Sequence, residues 1–245
     1  MEKFEEKIEP KKEKEPEIQR PKFEIEEFEE ARESFENLTK ELTPAIQRHE
    51  YNLIIGDDAS GRIPTLAIGG LFKEVYKEDK IDPPQILFFA GGKERLTDEE
   101  GIVREISDNI KRLISKNKID SSKTKALLTT EYMAGGRTMA YFVRTLKETG
   151  LSCDIATLST RCSLKEYKRQ FPEFEGAEIH VGSPGGLLHF WVKKELAGVR
   201  RGDNMIFTKR REGERELVLE ARRNVKKMVN YLKQIYDREK EKTEE

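Results

Sequence analysis

Cysteine is nearly absent. Cys153 and Cys162 are the two among 245 residues, too few for a disulfide framework and without the neighbouring Cys or His of a zinc site. Both read as ordinary thiols. No run approaches the ~18 apolar residues that a membrane-spanning helix needs, and the charged N-terminus lacks the apolar block of a secretory signal. The expectation is a soluble, cytoplasmic protein with no membrane partner. Charge of one sign is missing too: 46 Lys+Arg stand against 47 Asp+Glu, which excludes a generally polycationic nucleic-acid binder. The histidines His49, His180 and His189 are scattered singly, a placement that suits core or surface better than ligand or base roles.

What the chain has is charge in bulk. Charged residues fill 38% of positions and hydrophobic ones 36%, with 12 Phe and 7 Tyr as material for a core, enough for one domain with polar ends. Residues 1–22 carry seven Lys+Arg and seven Glu around Pro10, Pro16 and Pro21. Such a segment buries too little apolar area to offset its ordering entropy, so it reads as a disordered tail. The domain is expected over residues 23–236, and residues 237–245, almost wholly charged, as a second tail that frays.

Periodicity organises the middle. Ile25, Phe28, Phe35, Leu38 and Leu42 recur at helical steps before Thr43-Pro44, which predicts an N-terminal helix docked on the domain. An apolar run over 51–56, a polar turn over 57–62 and a helical segment reaching Tyr76 follow. The unit repeats as a strand over 85–90 and a helix over 97–115 with Ile102, Ile106, Ile110, Leu113 and Ile114 inward. A third unit has its strand at Ala126-Leu127-Leu128, a turn running from Thr129 through Gly135-Gly136 to Thr138, a helix to Gly150 and a strand over 154–159. Residues 167–174 read as irregular, 178–182 as a strand and 183–186 as a turn. Val218, Ala221, Val225, Met228, Leu232 and Tyr236 trace a long C-terminal helix. Short apolar runs alternating with helices indicate an α/β three-layer sandwich with a mainly parallel central sheet, flanked by an N-terminal helix and a long C-terminal helix.

In such a sheet ligands bind beyond the carboxyl ends of the strands. Two segments place unusual chemistry there. In the first, Asp57, Asp58, Ser60, Gly61 and Arg62 crowd a strand-to-helix turn; helix capping and dipole compensation account for the aspartates equally well. In the second, Gly135 and Gly136 let the backbone approach an oxyanion, and the first helical N–H groups with the Thr138 hydroxyl donate to it, a phosphate cradle. Lys93 and Arg95 follow the second strand and are lid candidates, although a solvated loop is the simpler reading.

Residues 126–138 resemble the ribose-phosphate-binding motif of the type I phosphoribosyltransferases, in which an apolar strand leads into two acidic residues, two apolar residues and a small-residue loop ending Gly-x-Thr. Ala126, Leu127 and Leu128 occupy the strand, Glu131 the second acidic place, Met133 and Ala134 the following places, and Gly136-Arg137-Thr138 the loop end. Residues 53–64 are similar to the strand and first loop that contact pyrophosphate in that family. The resemblance spans roughly residues 45–185. It implies a phosphoribosyltransferase-like fold and a phosphosugar or nucleotide ligand, and it implies that phosphoribosyl pyrophosphate with Mg²⁺ loses pyrophosphate to an attacking nitrogenous base. Ala134, Gly135, Gly136, Arg137 and Thr138 would then hold the 5-phosphate, and Ser60, Gly61 and Arg62 the pyrophosphate. Glu131 would take the ribose hydroxyls, and Asp57 and Asp58 the metal through water. Glu131, Arg62, Asp57 and Asp58 form the implied catalytic set, and the partners expected include a second copy of the chain in a homodimer. Thr130 stands where the family has its first acid, Thr129 and Tyr132 replace apolar residues, and Gly135 replaces a Ser, Thr or Ala. A cradle of backbone survives these substitutions better than catalysis, so phosphosugar binding is the safer expectation than turnover.

A different class stays open beside it. Residues 193–227 carry twelve basic against six acidic residues, among them Arg200, Arg201, Lys209, Arg210 and Arg211. That cluster suits nucleic-acid phosphates, although a solvated helix face is the more economical account. The alternative is therefore a non-catalytic nucleotide-sensing or RNA-binding protein on the same scaffold.

Overall fold

The computed structural model describes residues 18–57, 61–89, 99–116, 119–186, 189–190, 194–197, 199–201, 208–210 and 215–244. The apolar runs form β1 (Leu53–Asp57), β2 (Gln85–Phe89), β3 (Lys125–Met133), β4 (Ser152–Thr160) and β5 (Ile179–Pro184). They lie in the order β2-β1-β3-β4-β5, and every neighbouring pair is parallel. Both faces of the sheet are covered, which is why β1, β3 and β4 are buried almost residue by residue instead of alternating.

Chain direction decides where the helices go, because crossovers between parallel strands are right-handed. α3 (Arg62–Glu78) carries the chain from β1 to β2. α4 (Glu99–Lys116), α5 (Arg137–Glu148) and α6 (Leu164–Gln170) carry it the other way. α3 therefore falls on one face and the other three on the opposite one. A single crossover helix cannot cover five strands, and the chain's flanks complete its face with α1 (Glu26–Glu30), α2 (Arg32–Gln47) and α7 (Arg215–Glu244). α2 lies on β4 and β5, and α7 packs on α3 and α2. Phe28, Phe35, Leu38, Phe72, Leu232 and Ile235 form the core of this layer, each buried apolar side chain contributing about 1.5–3 kcal/mol before conformational entropy is charged against it. On the other face Leu53, Ile55, Leu128 and Ile155 meet Ile110, Phe142, Leu146 and Tyr167. A separate antiparallel ribbon pairs β6 (Val199–Arg201) with β7 (Thr208–Arg210).

The α/β sandwich expected from the sequence is what forms, with several boundaries moved. The N-terminal stripe is split into α1 and α2 at Ala31, and α2 continues through Pro44 to Gln47. Residues 18–22 do not run free: Ile18 and Phe23 pack on the core, the Gln19 N–H donates to Gln234 at 3.1 Å, and Lys227 donates to the Lys22 carbonyl at 2.9 Å. Residues 1–17 lie outside the described residues. At the other end α7 stays helical through Glu244, where Lys233 pairs with Asp237 and Lys242 with Glu239 along the helix. Residues 164–174, read in part as irregular, are α6 followed by a short 3-10 turn. No helix among the described residues is long and apolar enough to cross a membrane.

Candidate functional site

The order of the strands makes one crevice. β1 and β3 are neighbours, with Ile55 beside Leu128 and Gly56 beside Thr129. Yet β1 feeds α3 on one face and β3 feeds α5 on the other. The two connections part at the carboxyl edge and leave room between them, the topological switch point where open α/β sheets bind ligands. Asp57 and Gly61 of the first segment lie on one bank and the second segment on the other.

On the β1 bank, Asp57 closes the strand half-buried, and Gly61 precedes α3. A Cβ on Gly61 would lie 2.5 Å from the Asp57 carbonyl and 3.0 Å from that of Thr129, so only glycine lets α3 begin on top of both strands. One turn later Thr65 donates to the Gly61 carbonyl at 2.6 Å, and its hydroxyl lies 2.5 Å from that of Thr129. That contact explains a threonine where the resemblance called for an apolar residue. The Arg62 guanidinium is 4.4 Å from the centre of the Phe88 ring. It therefore lies towards β2, on the side of β1 away from β3. Asp58 and Ser60 fall outside the described residues, as do Lys93 and Arg95.

On the β3 bank the strand runs further than its polar sequence suggests. Thr130 pairs with Thr157, Tyr132 with Ser159 and Met133 with Thr160, so the ladder and burial override composition. The turn shrinks from residues 129–138 to Ala134, Gly135 and Gly136. Ala134 and Gly135 are exposed. Gly136 has φ 73° and serves as the cap of α5. A Cβ there would press on the Tyr167 ring at 2.8 Å and on Phe171 at 3.0 Å, while one on Gly135 would meet nothing within 4 Å. The Arg161 N–H donates to the Met133 carbonyl at 3.0 Å, fixing that carbonyl towards β4. In a planar trans peptide the next N–H points the opposite way. The Ala134 amide is thereby turned towards β1 and the crevice.

Electrostatics agree with the geometry. A helix N-terminus carries a partial positive charge that an acidic first-turn residue neutralises. α1, α2, α6 and α7 each have such a residue. α3 and α5, the two that open onto the crevice, have none, in a chain with 47 carboxylate side chains. α5 also lacks a side-chain cap, and Arg137 and Thr138 stand in its first turn, exposed and half-buried respectively. The crevice thus has on its banks two helix N-termini without a first-turn carboxylate, the Ala134 amide and the half-buried Asp57, chemistry suited to an anion that arrives with a cation.

Glu131 sits differently from what a ribose ligand needs. It is wholly buried, and its Oε1 accepts from the backbone amides of His189 and Phe190, each at 2.5 Å. Phe190 stacks edge-on against Phe28 at 5.0 Å, so this carboxylate faces the α1–α2 layer. Thr130, the next position back, is buried on the opposite face. His189 and Phe190 are partners that sequence reasoning missed, because 58 residues separate them from Glu131 and a backbone donor leaves no residue-type signal. Tyr167 was missed with less excuse: Ser163 and Glu166 make a reciprocal capping box four residues before it, and that Ser-x-x-Glu pattern announces a helix.

A second polar cluster lies at the amino ends of the strands. The Tyr51 hydroxyl donates to Asp154 Oδ2 at 2.6 Å, and Lys125 Nζ is 2.5 Å from the same oxygen and 2.8 Å from Glu50. Asp154, Glu178 and His180 bring potential ligand atoms within 4.8 Å of one another. The Lys125 ammonium already holds the place of a cation, however, and the Glu178 amide takes Asp154 Oδ1 at 2.9 Å. Burial, then Asp154, pushes the Tyr51 phenol well above its ordinary pKa, and burial holds His180 below its usual value. Burial also drives the Cys153 thiol up to about 12, so it stays protonated at neutral pH. A cavity of about 430 Å³ runs between α2, α6 and β5, lined in part by Arg48, Leu164, Lys168, Glu178 and His180; none of the phosphate-, pyrophosphate- or metal-binding candidates read from the sequence lines it.

No family model and no curated protein matches the chain. Among solved structures, a phosphoribosyltransferase from Corynebacterium diphtheriae is similar at 17% identity over 60% of this chain and 73% of that one, with a TM-score of 0.31. The overlap is loose. The fold assignment rests on the strand order and crossovers described above.

Proposed function

We propose that the chain binds a 5-phosphoribosyl group, as phosphoribosyl pyrophosphate or a nucleotide, in the crevice between β1 and β3. The observation that carries this reading is the pair of helix N-termini without an acidic first-turn residue, α3 and α5, on the two banks of that crevice. The 5-phosphate lies against the amides of Ala134 to Thr138, with Arg137 and the Thr138 hydroxyl beside them, and a second anionic group lies near Gly61 and Arg62. Neighbouring strands stand ~4.8 Å apart, so β3 and the Arg62–Phe88 pair over β2 are roughly 10 Å apart, a span that suits a ligand with a phosphate at each end. Asp57 fits an Mg²⁺ ion brought with such a ligand, because Mg²⁺ keeps much of its water and needs few protein carboxylates. When bound, the ion would neutralise charge on the phosphates.

Transfer of the phosphoribosyl group to a nitrogenous base is the more demanding reading. It needs a carboxylate at the ribose, whereas Thr130 offers none and Glu131 is engaged by two amides. Binding without turnover, as in a nucleotide sensor, is the reading we favour. Titration with phosphoribosyl pyrophosphate and Mg²⁺, followed by pyrophosphate release across purine and pyrimidine acceptors, separates the two. Saturable binding with no release is expected. Release with any acceptor establishes the transferase, and absence of binding by every phosphoribosyl ligand overturns both.

A further inference from the structure

The α6 side chain that packs on Gly136 also reaches the carbonyls of Met133 and Ala134. The Tyr167 hydroxyl donates to the Met133 carbonyl, lies 3.0 Å from the Ala134 carbonyl, and accepts the Cys162 N–H at 3.3 Å. All of these atoms lie on the α6 side of the bend. A trans peptide sets each carbonyl opposite to the N–H that follows it. Holding the carbonyls of 133 and 134 towards α6 therefore turns the amides of Ala134 and Gly135 away from α6 and into the crevice. Arg161 fixes only the first of these peptide planes. The second, between exposed Ala134 and exposed Gly135, has no ladder partner among the described residues, and a Cβ on Gly135 would meet nothing within 4 Å.

We propose that Tyr167 is a positioning residue for phosphate binding: its hydroxyl holds the bend between β3 and α5 with the Ala134 and Gly135 amides facing the crevice, and so sets the affinity of the site for a phosphorylated ligand. The inference rests on the binding reading above and adds a residue that touches no ligand. The ring and the hydroxyl have separate duties. The ring fills the space beside Gly136, where a Cβ would come within 2.8 Å of it; the hydroxyl orients the backbone. Tyr167→Phe removes the second and keeps the first. Burial raises the Tyr167 pKa above its ordinary value, so the hydroxyl keeps its proton to donate at neutral pH.

The test uses the full chain and ribose 5-phosphate as the probe, with affinity read by calorimetry and the Ala134 and Gly135 amides read by ¹H–¹⁵N NMR. Tyr167→Phe should weaken binding about five- to tenfold, the net effect of losing one or two hydrogen bonds from a preorganised loop. It should also shift or broaden the two amide signals before any ligand is added. Ser163→Ala is the comparison, since it removes the cap of α6 but leaves the hydroxyl. That variant should melt earlier and bind within about twofold of the unaltered chain, because capping contributes to helix stability alone. A Tyr167→Phe protein with unaltered affinity and unaltered amide signals overturns the positioning role while leaving the binding site in place. Equal weakening by Ser163→Ala and Tyr167→Phe also overturns it, since α6 would then act only as support. Absence of ribose 5-phosphate binding by the unaltered chain overturns this inference together with the reading beneath it.

Discussion

Replacing Gly136 by alanine should damage the fold where the same change at Gly135 does not. Gly136 holds φ 73°, a conformation that costs an L-residue roughly 1–2 kcal/mol. The new Cβ would also stand 2.8 Å from Tyr167 Cδ1 and 3.0 Å from Phe171 Cε2. Both rings are themselves packed, Phe171 against Phe174 at 5.6 Å and Tyr167 wholly buried, so they yield little. Overpacking of this kind adds about 1–3 kcal/mol. Gly136→Ala should therefore lose roughly 3 kcal/mol, and at about 2–4 °C per kcal/mol for a domain of this size the melting temperature should fall by roughly 6–12 °C. Gly135→Ala meets no atom within 4 Å and should stay within about 0.5 kcal/mol. Urea titration and thermal melting followed by far-ultraviolet circular dichroism give both values. Equal losses in the two variants, or none at Gly136, would refute the assignment of the bend's strained position.

Three further outcomes follow from the same geometry. Glu131→Ala strips the part-buried amide of His189 and the buried amide of Phe190 of their acceptor and should cost about 2–4 kcal/mol in urea unfolding; Glu131→Gln, which keeps an acceptor oxygen, should cost less than half as much. His180 is held below its ordinary pKa of 6.5 by burial, against the opposing pull of Asp154 and Glu178. The unfolded chain therefore binds the proton more readily, so stability is full above the unfolded pKa and declines as pH falls below about 6.5, by at most about 1.4 kcal/mol per pH unit for one proton. Denaturation midpoints measured between pH 7.5 and 5.5 should show that slope, and His180→Gln should flatten it. Lys125→Met leaves buried Asp154 without its ammonium partner and should cost about 3–5 kcal/mol in the same unfolding assay; a loss below 1 kcal/mol would mean that the cluster at the amino ends of the strands is already solvated.

The fold was legible where burial and composition point the same way. Leu53 to Ile55, the aliphatic start of β3 and the stripe of Phe28, Phe35 and Leu38 are apolar because they are inside, so their periods give the α/β layers directly. The order of the strands also places the candidate crevice without any side-chain knowledge, since loops after β1 and β3 must part where the crossover direction reverses. Three things were not legible. Thr129 to Tyr132 read as a turn because they are polar, yet pairing with β4 holds them in the sheet. Residues 18–22 read as tail because they are charged and carry a proline, yet the Gln19 amide and the Lys22 carbonyl bond to side chains on α7 that lie far along the chain. Glu131 read as a ligand residue from its place in a motif, while its partners are backbone amides delivered by the segment before α7. In each case the deciding contact is long-range and made by backbone, which no local pattern records.

The most direct measurement is a ¹H–¹⁵N titration of the full chain with ribose 5-phosphate, mapping which amides respond. Saturable shifts should centre on Ala134, Gly135, Gly136, Arg137 and Thr138 and extend to Asp57 and Gly61. Shifts confined to the cavity beside β5, around Arg48, Lys168 and His180, or no saturable response at any concentration of ligand, would contradict binding in the crevice.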